Sequence, residues 1–170
     1  LKGRTAIRFA AGVLILMLSA TGLYDLRTIV VKNGAERSIR LSLTDPLTVW
    51  IEENAGADDI FLTPQYTLNR VVLGGAMLYN GWPYYAWSAG YDTDDRAEQV
   101  KRMYEASSVE ELDALVRANE IRYVIVDYDA RNSADYAVRE DVIAAAYGAV
   151  YQEGEGIYRL TVYDTQAVLQ

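Results

Sequence analysis

Cysteine and histidine are both absent from the 170 residues. Without cysteine there is no disulfide framework and no thiolate nucleophile, so the redox compartment leaves no trace in the chain. Without histidine there is no Ser-His-Asp triad, no imidazole base and none of the common Cys/His zinc sites. Nucleotide fingerprints are missing too. Gly74-Gly75 supplies neither a G-x-G-x-x-G turn nor a P-loop. No internal repeat and no low-complexity segment is present. Any chemistry would rest on carboxylates, Tyr, Lys, Arg or Ser/Thr. Tyrosine, by contrast, is abundant, with 14 copies. That suits surfaces that are part apolar and part wet.

The clearest positive feature is at the front. Phe9 to Tyr24 (FAAGVLILMLSATGLY) is uncharged and largely apolar, behind Lys2, Arg4 and Arg8. A spanning helix needs about 20 apolar residues, so this run is short. Arg8 can snorkel and Tyr24 suits the interface, which lengthens the usable span. Leu14 to Leu18 are consecutive apolar residues, so a helix here has no polar stripe. We expect a transmembrane helix. A signal-like segment ending near Leu18-Ser19-Ala20 and a buried soluble helix are the alternatives. The chain opens on Leu1 rather than Met, which suggests a segment of a longer protein. The basic flank places the N-terminal side in the cytoplasm and the remainder outside, at the cell membrane.

Charge is divided. Up to Thr44 there are 7 Lys/Arg and 2 Asp/Glu; from Asp45 onward there are 9 and 22. An acidic domain of this kind does not favour nucleic acid as a partner. The basic part adjoins the expected membrane, whose lipid bilayer is the first partner predicted. We expect a basic flank and transmembrane helix over 1–32, a linker over 33–44, an α/β domain over 45–165 and a tail over 166–170.

Within the domain, Asp45-Pro46 predicts an N-cap followed by a helix running to about Asn54. Asp59 to Thr63 reads as a short buried strand. Thr67 to Leu73 is either a strand or a short helix, ended by Gly74-Gly75, and Met77 to Tyr79 is another short strand. A long aromatic loop spans Gly81 to Asp95, with a helical turn after Pro83. Asp94 or Asp95 then caps a helix through Tyr104, and Ser108 opens a capping box with Glu111. Ile121 to Val126 (IRYVIV) is the strongest strand and suits a sheet covered on both faces. A helix over Asp135 to Tyr147 and a hairpin of Ala149–Gln152 with Ile157–Tyr163 close the chain. The order predicts an α/β fold: a small mixed sheet, Rossmann-like, with a C-terminal antiparallel hairpin and flanking helices.

The stretch Gly81 to Arg96 (GWPYYAWSAGYDTDDR) is the most unusual in the chain. Gly81-Trp82, Trp87 to Asp92 and Arg96 resemble a Gly/Trp/Ser/Asp/Arg pattern in C-terminal extracytoplasmic domains of polytopic bacterial membrane proteins. Those proteins are similar to C-type-fold glycosyltransferases that use lipid-linked sugars. Tyr104, the Tyr-Val-Ile-Val strand and the final hairpin agree with that pattern, so the resemblance covers roughly Asp59 to Asp164. It implies an accessory domain whose parent carries its catalytic carboxylate in an earlier outer loop. No catalytic residue transfers to this chain, and none is assigned. A divalent cation would belong to the parent protein, not to this domain.

Two groups of site candidates follow. Trp82, Tyr84, Tyr85, Trp87 and Tyr91 could stack on sugar faces while Asp92 and Arg96 fix hydroxyls or phosphate, giving contact with a glycan or a polyprenyl-phosphate-sugar. Alternatively, Trp82 and Trp87 bury the loop against the sheet, and Asp92 or Asp94 caps the next helix while pairing with Arg96. The second group is Asp127 and Asp129, with Tyr128 between them, at the C-terminal end of the IRYVIV strand, the usual ligand edge of an open α/β sheet. They could serve an independent carboxylate- or metal-dependent hydrolase or transferase, or simply start a solvated loop. Asp92, Asp94 and Asp95 lack a full calcium-loop pattern, and Glu110, Glu111 and Asp113 read as a solvated helix face. A purely structural assembly module is the remaining class, and it would show a large apolar surface patch.

Overall fold

The structure, a computed structural model, describes residues 2–32, 42–65 and 69–168. It divides into two compact units, Leu1–Arg40 and Leu41–Gln170. The first contains α1, Lys2–Lys32, a helix of 31 residues, or about 46 Å at 1.5 Å per residue. The apolar run alone is too short for a bilayer. The helix continues past that run through Leu26, Ile29 and Val30 to Lys32. Leu14, Ile15, Leu16, Met17 and Leu18 are all exposed. Gly3–Lys32 is long and apolar enough to cross a membrane. The Thr21 hydroxyl donates to the Leu18 carbonyl at 3.0 Å and so needs no water partner. Most of the expected linker, residues 33–41, lies outside the described residues.

The second unit is built on five strands: β1 Ile60–Leu62, β2 Met77–Leu78, β3 Ile121–Val126, β4 Tyr147–Glu153 and β5 Leu160–Val168. Their order is β2-β1-β3-β5-β4. The pairs β1–β2 and β1–β3 are parallel; β3–β5 and β4–β5 are antiparallel. The sheet is therefore mixed, with an antiparallel edge.

Among the described residues, seven helices accompany it: α2 Pro46–Asn54, α3 Asn69–Leu73, α4 Pro83–Ser88, α5 Asp94–Glu105, α6 Val109–Ala118, α7 Tyr128–Arg131 and α8 Glu140–Ala146. On one face of the sheet, Leu47 and Ile51 of α2 and Val71 of α3 pack with Phe61, Tyr123, Ile125 and Val162. On the other, α5, α6 and α8 bring Met103, Tyr104, Leu112 and Ile143 against Leu62, Val124 and Val126. β3 contributes to both cores. Its pairing with β1 slips between Ile60 and Phe61, so Ile121 and Tyr123 lie in opposite cores despite their spacing of two.

Local chemistry sets the ends of the elements. Asp45 caps α2, its Oδ1 accepting from the amides of Leu47 and Thr48 at 3.1 and 3.4 Å, and Pro46 occupies the first helical position. Arg70 of α3 donates to the same oxygen at 2.7 Å, tying the two helices of this face together. Ser108 caps α6 by accepting from the Glu111 amide at 3.3 Å. The Glu111 carboxylate returns to the Ser107 amide at 2.9 Å instead of to Ser108.

Of the two readings for Thr67 to Leu73, the short helix is the one seen, over Asn69–Leu73; Thr67 and Leu68 lie outside the described residues. Three other local expectations need correction. Asp94 and Asp95 do not cap α5. They sit in its first turn, where acids offset the helix dipole, and the cap position is Thr93. The helix expected over Asp135 to Tyr147 is confined to Glu140–Ala146. The preceding segment is drawn onto the end of α5: the Arg139 amide donates to the Tyr104 carbonyl at 2.8 Å, and Tyr136 stacks on Tyr104 at 4.8 Å. These bonds satisfy a helix-end group that otherwise lacks a partner. Finally, β5 begins at Leu160, because Gly156–Tyr158 form a 3₁₀ turn.

Gly74 lies where α3 meets α2. A Cβ there would sit 2.7 Å from Ile51 Cγ2 and 3.0 Å from the Thr48 carbonyl oxygen. Gly74→Ala should therefore cost about 1–3 kcal/mol, the usual cost of overpacking. Urea unfolding of the chain checks this, and an unchanged midpoint would contradict the close packing of α2 on α3.

Candidate functional site

The aromatic stretch folds into α4 and the turn after it. Pro83 starts the helix behind Trp82, which holds the extended cap position. The helix ends in a Schellman motif. The Tyr91 amide donates to the Ala86 carbonyl at 3.1 Å and the Gly90 amide to Trp87 at 2.9 Å. Gly90 adopts φ 87° to allow this, a conformation that favours glycine. The turn sends Tyr91 back past α4 toward α5.

No residue of α4 is buried. Tyr84 and Trp87 are each 64 % exposed, Tyr85 and Tyr91 each 70 % and Trp82 40 %. Trp82 and Trp87 therefore do not plug the loop into the sheet. The rings support one another instead, with Trp82–Tyr85 centroids at 6.4 Å and Tyr84–Trp87 centroids at 6.1 Å. A cleft of about 490 Å³ lies between the end of β2, α4 and the start of α5. Trp82, Tyr85, Tyr91, Asp92 and Arg96 line it; Tyr84 and Trp87 do not.

Arg96 enters from the first turns of α5. Its Nη1 donates to the Tyr79 carbonyl at 2.8 Å, and its guanidinium lies 5.3 Å from the centre of the Tyr79 ring. Among the described residues it forms no ion pair with an acid, so the expected pairing with Asp92 or Asp94 is not made. Asp92 Oδ1 accepts from the Asp94 amide at 3.0 Å. Tyr79 is held from behind, its hydroxyl donating to Asn119 Oδ1 on the residue after α6, and burial raises its pKa.

Sequence reasoning missed Asn80. It lines the cleft and is only 5 % exposed, and among the described residues its Nδ2 has no hydrogen-bond partner. A buried donor left unsatisfied costs about 1–3 kcal/mol, so such groups are rare in folded proteins. Nothing in the Asn80-Gly81 dipeptide beyond a turn signal marks it. Its meaning depends on burial, which one sequence does not display.

The second candidate group lies at the topological switch point of the sheet. The chain leaves β1 through α3 to reach β2 on one side, then returns through α4, α5 and α6 to β3 on the other. Asp127 is buried there and caps α7, accepting from the Ala130 amide at 2.9 Å. Burial pushes its carboxyl pKa up. Asp129 is exposed and lines a separate cleft of about 620 Å³ with Asp94, Glu98, Lys101, Asp135 and Tyr136. Among the described residues, no three carboxylates come close enough together to hold a metal ion. The strand end is therefore acidic and open.

No protein-family model matches this sequence, and neither does any curated protein. Fold and site together define an α/β domain with an aromatic cleft at one strand edge. In the same chain it follows a helix long and apolar enough to cross a membrane.

Because the folded-state pKa of Asp127 is raised, the folded protein binds its proton more tightly than the unfolded chain. The stability this supplies is present below the ordinary carboxylate range and is lost as pH rises through the folded pKa. Asp127→Asn keeps a capping oxygen and removes the charge. The stability of the variant relative to wild type should rise between pH 3 and pH 7, measured by urea unfolding at each pH. A difference that stays flat with pH would contradict the cost of burying this carboxylate.

Proposed function

We propose that this chain is an accessory extracytoplasmic domain of a multi-pass, glycosyltransferase-like membrane protein. In this reading its aromatic cleft holds a glycan or the head of a lipid-linked sugar. The observation that carries the reading is the cleft itself: exposed Trp and Tyr faces beside a guanidinium that, among the described residues, has no carboxylate partner. Sugars present apolar C–H faces and acceptor oxygens together, and this cleft offers a surface for each. The remaining Arg96 nitrogens suit a phosphate, since a planar guanidinium presents several donors to an oxyanion.

Two further facts support it. The stretch that forms the cleft is the one that resembles lipid-linked-sugar enzymes. Lys2, Arg4 and Arg8 stand at the start of α1, and a cytoplasmic position for this basic flank puts everything after the helix outside. No step of transfer is assigned to the chain. Its role is to cover the membrane-embedded site of the parent and to hold donor or acceptor there.

The test is a titration of the whole chain in nanodiscs with a short-chain polyprenyl-phosphate-sugar, followed by tryptophan fluorescence. Wild type should bind saturably. Tyr85→Ala and Trp82→Ala should weaken binding about tenfold, or 1.4 kcal/mol, while the unfolding midpoint of Tyr85→Ala stays unchanged. Deleting residues 33–170 from the parent should lower transfer without removing a catalytic carboxylate. No saturable binding by wild type, together with unchanged transfer after the deletion, would overturn the proposal.

A further inference from the structure

The aromatic residues of α4 and its two flanks divide by face. Trp82, Tyr85 and Tyr91 line the cleft, whereas Tyr84 and Trp87 are absent from its lining. These two are three apart on one helix, which puts them on one face. Their ring centroids lie 6.1 Å apart, and each side chain is 64 % exposed. Two large rings are thus held together, in water, with no role in the cleft beside them. Exposing such a pair is unfavourable unless something covers it.

The residue types indicate what the cover is. Tyr and Trp have an apolar body and a polar tip, and they collect at the headgroup level of membranes. Charge agrees with this. No charged residue occurs from Val71 to Tyr91, although the chain from Asp45 onward carries 22 acids against 9 bases. This is the stretch of the domain that can approach a hydrocarbon boundary without desolvating an ion. The chain also supplies a membrane to approach. From Lys32, the end of α1, to Asp45, the cap of α2, the connection reaches at most about 45 Å when fully extended. A domain on so short a tether stays at the bilayer surface, where weak contacts gain from a high effective concentration.

We infer that Tyr84 and Trp87 form an interfacial anchor, inserting among the headgroups of the bilayer and setting the adjacent cleft at the membrane surface. The inference needs α1 to span the membrane but does not depend on the cleft binding sugar. Attraction to anionic lipid plays no part in it, because the domain is acidic. The anchoring is driven by ring burial and interfacial hydrogen bonding, and anionic headgroups oppose it at low salt.

The experiment uses the full chain reconstituted into phosphatidylcholine vesicles with no sugar present. Trp50→Phe and Trp82→Phe together leave Trp87 as the reporter, and Trp82→Phe with Trp87→Phe leaves Trp50 as the control. Trp87 emission should lose about half its intensity to lipids brominated near the headgroup end of their chains, as expected for an indole at the interface. Trp50 emission should be little affected. Tyr84→Ser in the Trp87 background should reduce that quenching at an unchanged unfolding midpoint, and phosphatidylglycerol at low salt should reduce it as well. Free access of iodide to Trp87 in the vesicles would overturn the inference. So would protection from iodide without bromine quenching, which means a protein partner, or protection that appears only when a polyprenyl-phosphate-sugar is added, which means a sugar face.

Discussion

β3 is apolar on both sides, and that constraint organises the whole soluble unit. Ile121, Tyr123, Val124, Ile125 and Val126 are all buried, and a strand buried on both faces needs a layer of helices above and below it. α2 and α3 supply one layer; α5, α6 and α8 supply the other. Polar links then hold the layers in place. Arg70 joins α2, α3 and the hairpin by pairing with Asp45 and Glu153. Glu140 at the start of α8 accepts from Arg131 of α7 and from Arg159 and Tyr163 beside and within β5. Arg131 holds the Glu140 carboxyl below its usual pKa.

Covering β3 also decides where the cleft can be. With α5 and α6 committed to one face, the chain must travel from the outer strand β2 back across the sheet. α4 lies on that path, before the first helix that packs. It is a connection and not a cover, which is why none of its side chains is buried. Tyr79 and Arg96, which line the cleft beside it, are tied to the packed part: the first is bonded to Asn119, and the second grips the Tyr79 carbonyl from α5. The aromatic platform is thus flanked by rigid elements while remaining open. This combination suits a binding surface better than a core.

Much of the fold was legible because its signals are local. Asp45-Pro46, Ser108 with Glu111, and the β-branched run of IRYVIV each specify an element through short-range chemistry. What was not legible depends on distant partners. The segment from Asp135 to Arg139 reads as helix, yet the end of α5 captures it through the Tyr104 carbonyl and ring. The register slip between Ile60 and Phe61 has no sequence signature. The stretch from Gly81 to Arg96 announced itself by composition. The division of its rings between a cleft face and an outer face did not, because it follows from the short α4 helix and the Schellman turn at Gly90. Asn80 carried no signal at all, since one asparagine before a glycine reads as a turn until its burial is known.

The central claim is that the cleft around Asn80 and Arg96 is a binding site placed at a membrane. Nitrogen-edited NMR of the chain in nanodiscs, titrated with a short-chain polyprenyl-phosphate-sugar, tests it most directly. The account predicts that the Asn80 side-chain amide and the Trp82 indole N–H shift together and saturably, while the Trp50 indole, packed against Tyr123 and Tyr151, stays in place. Shifts centred instead on Asp129, Lys101 and Tyr136, or no saturable shift at Asn80, would contradict it.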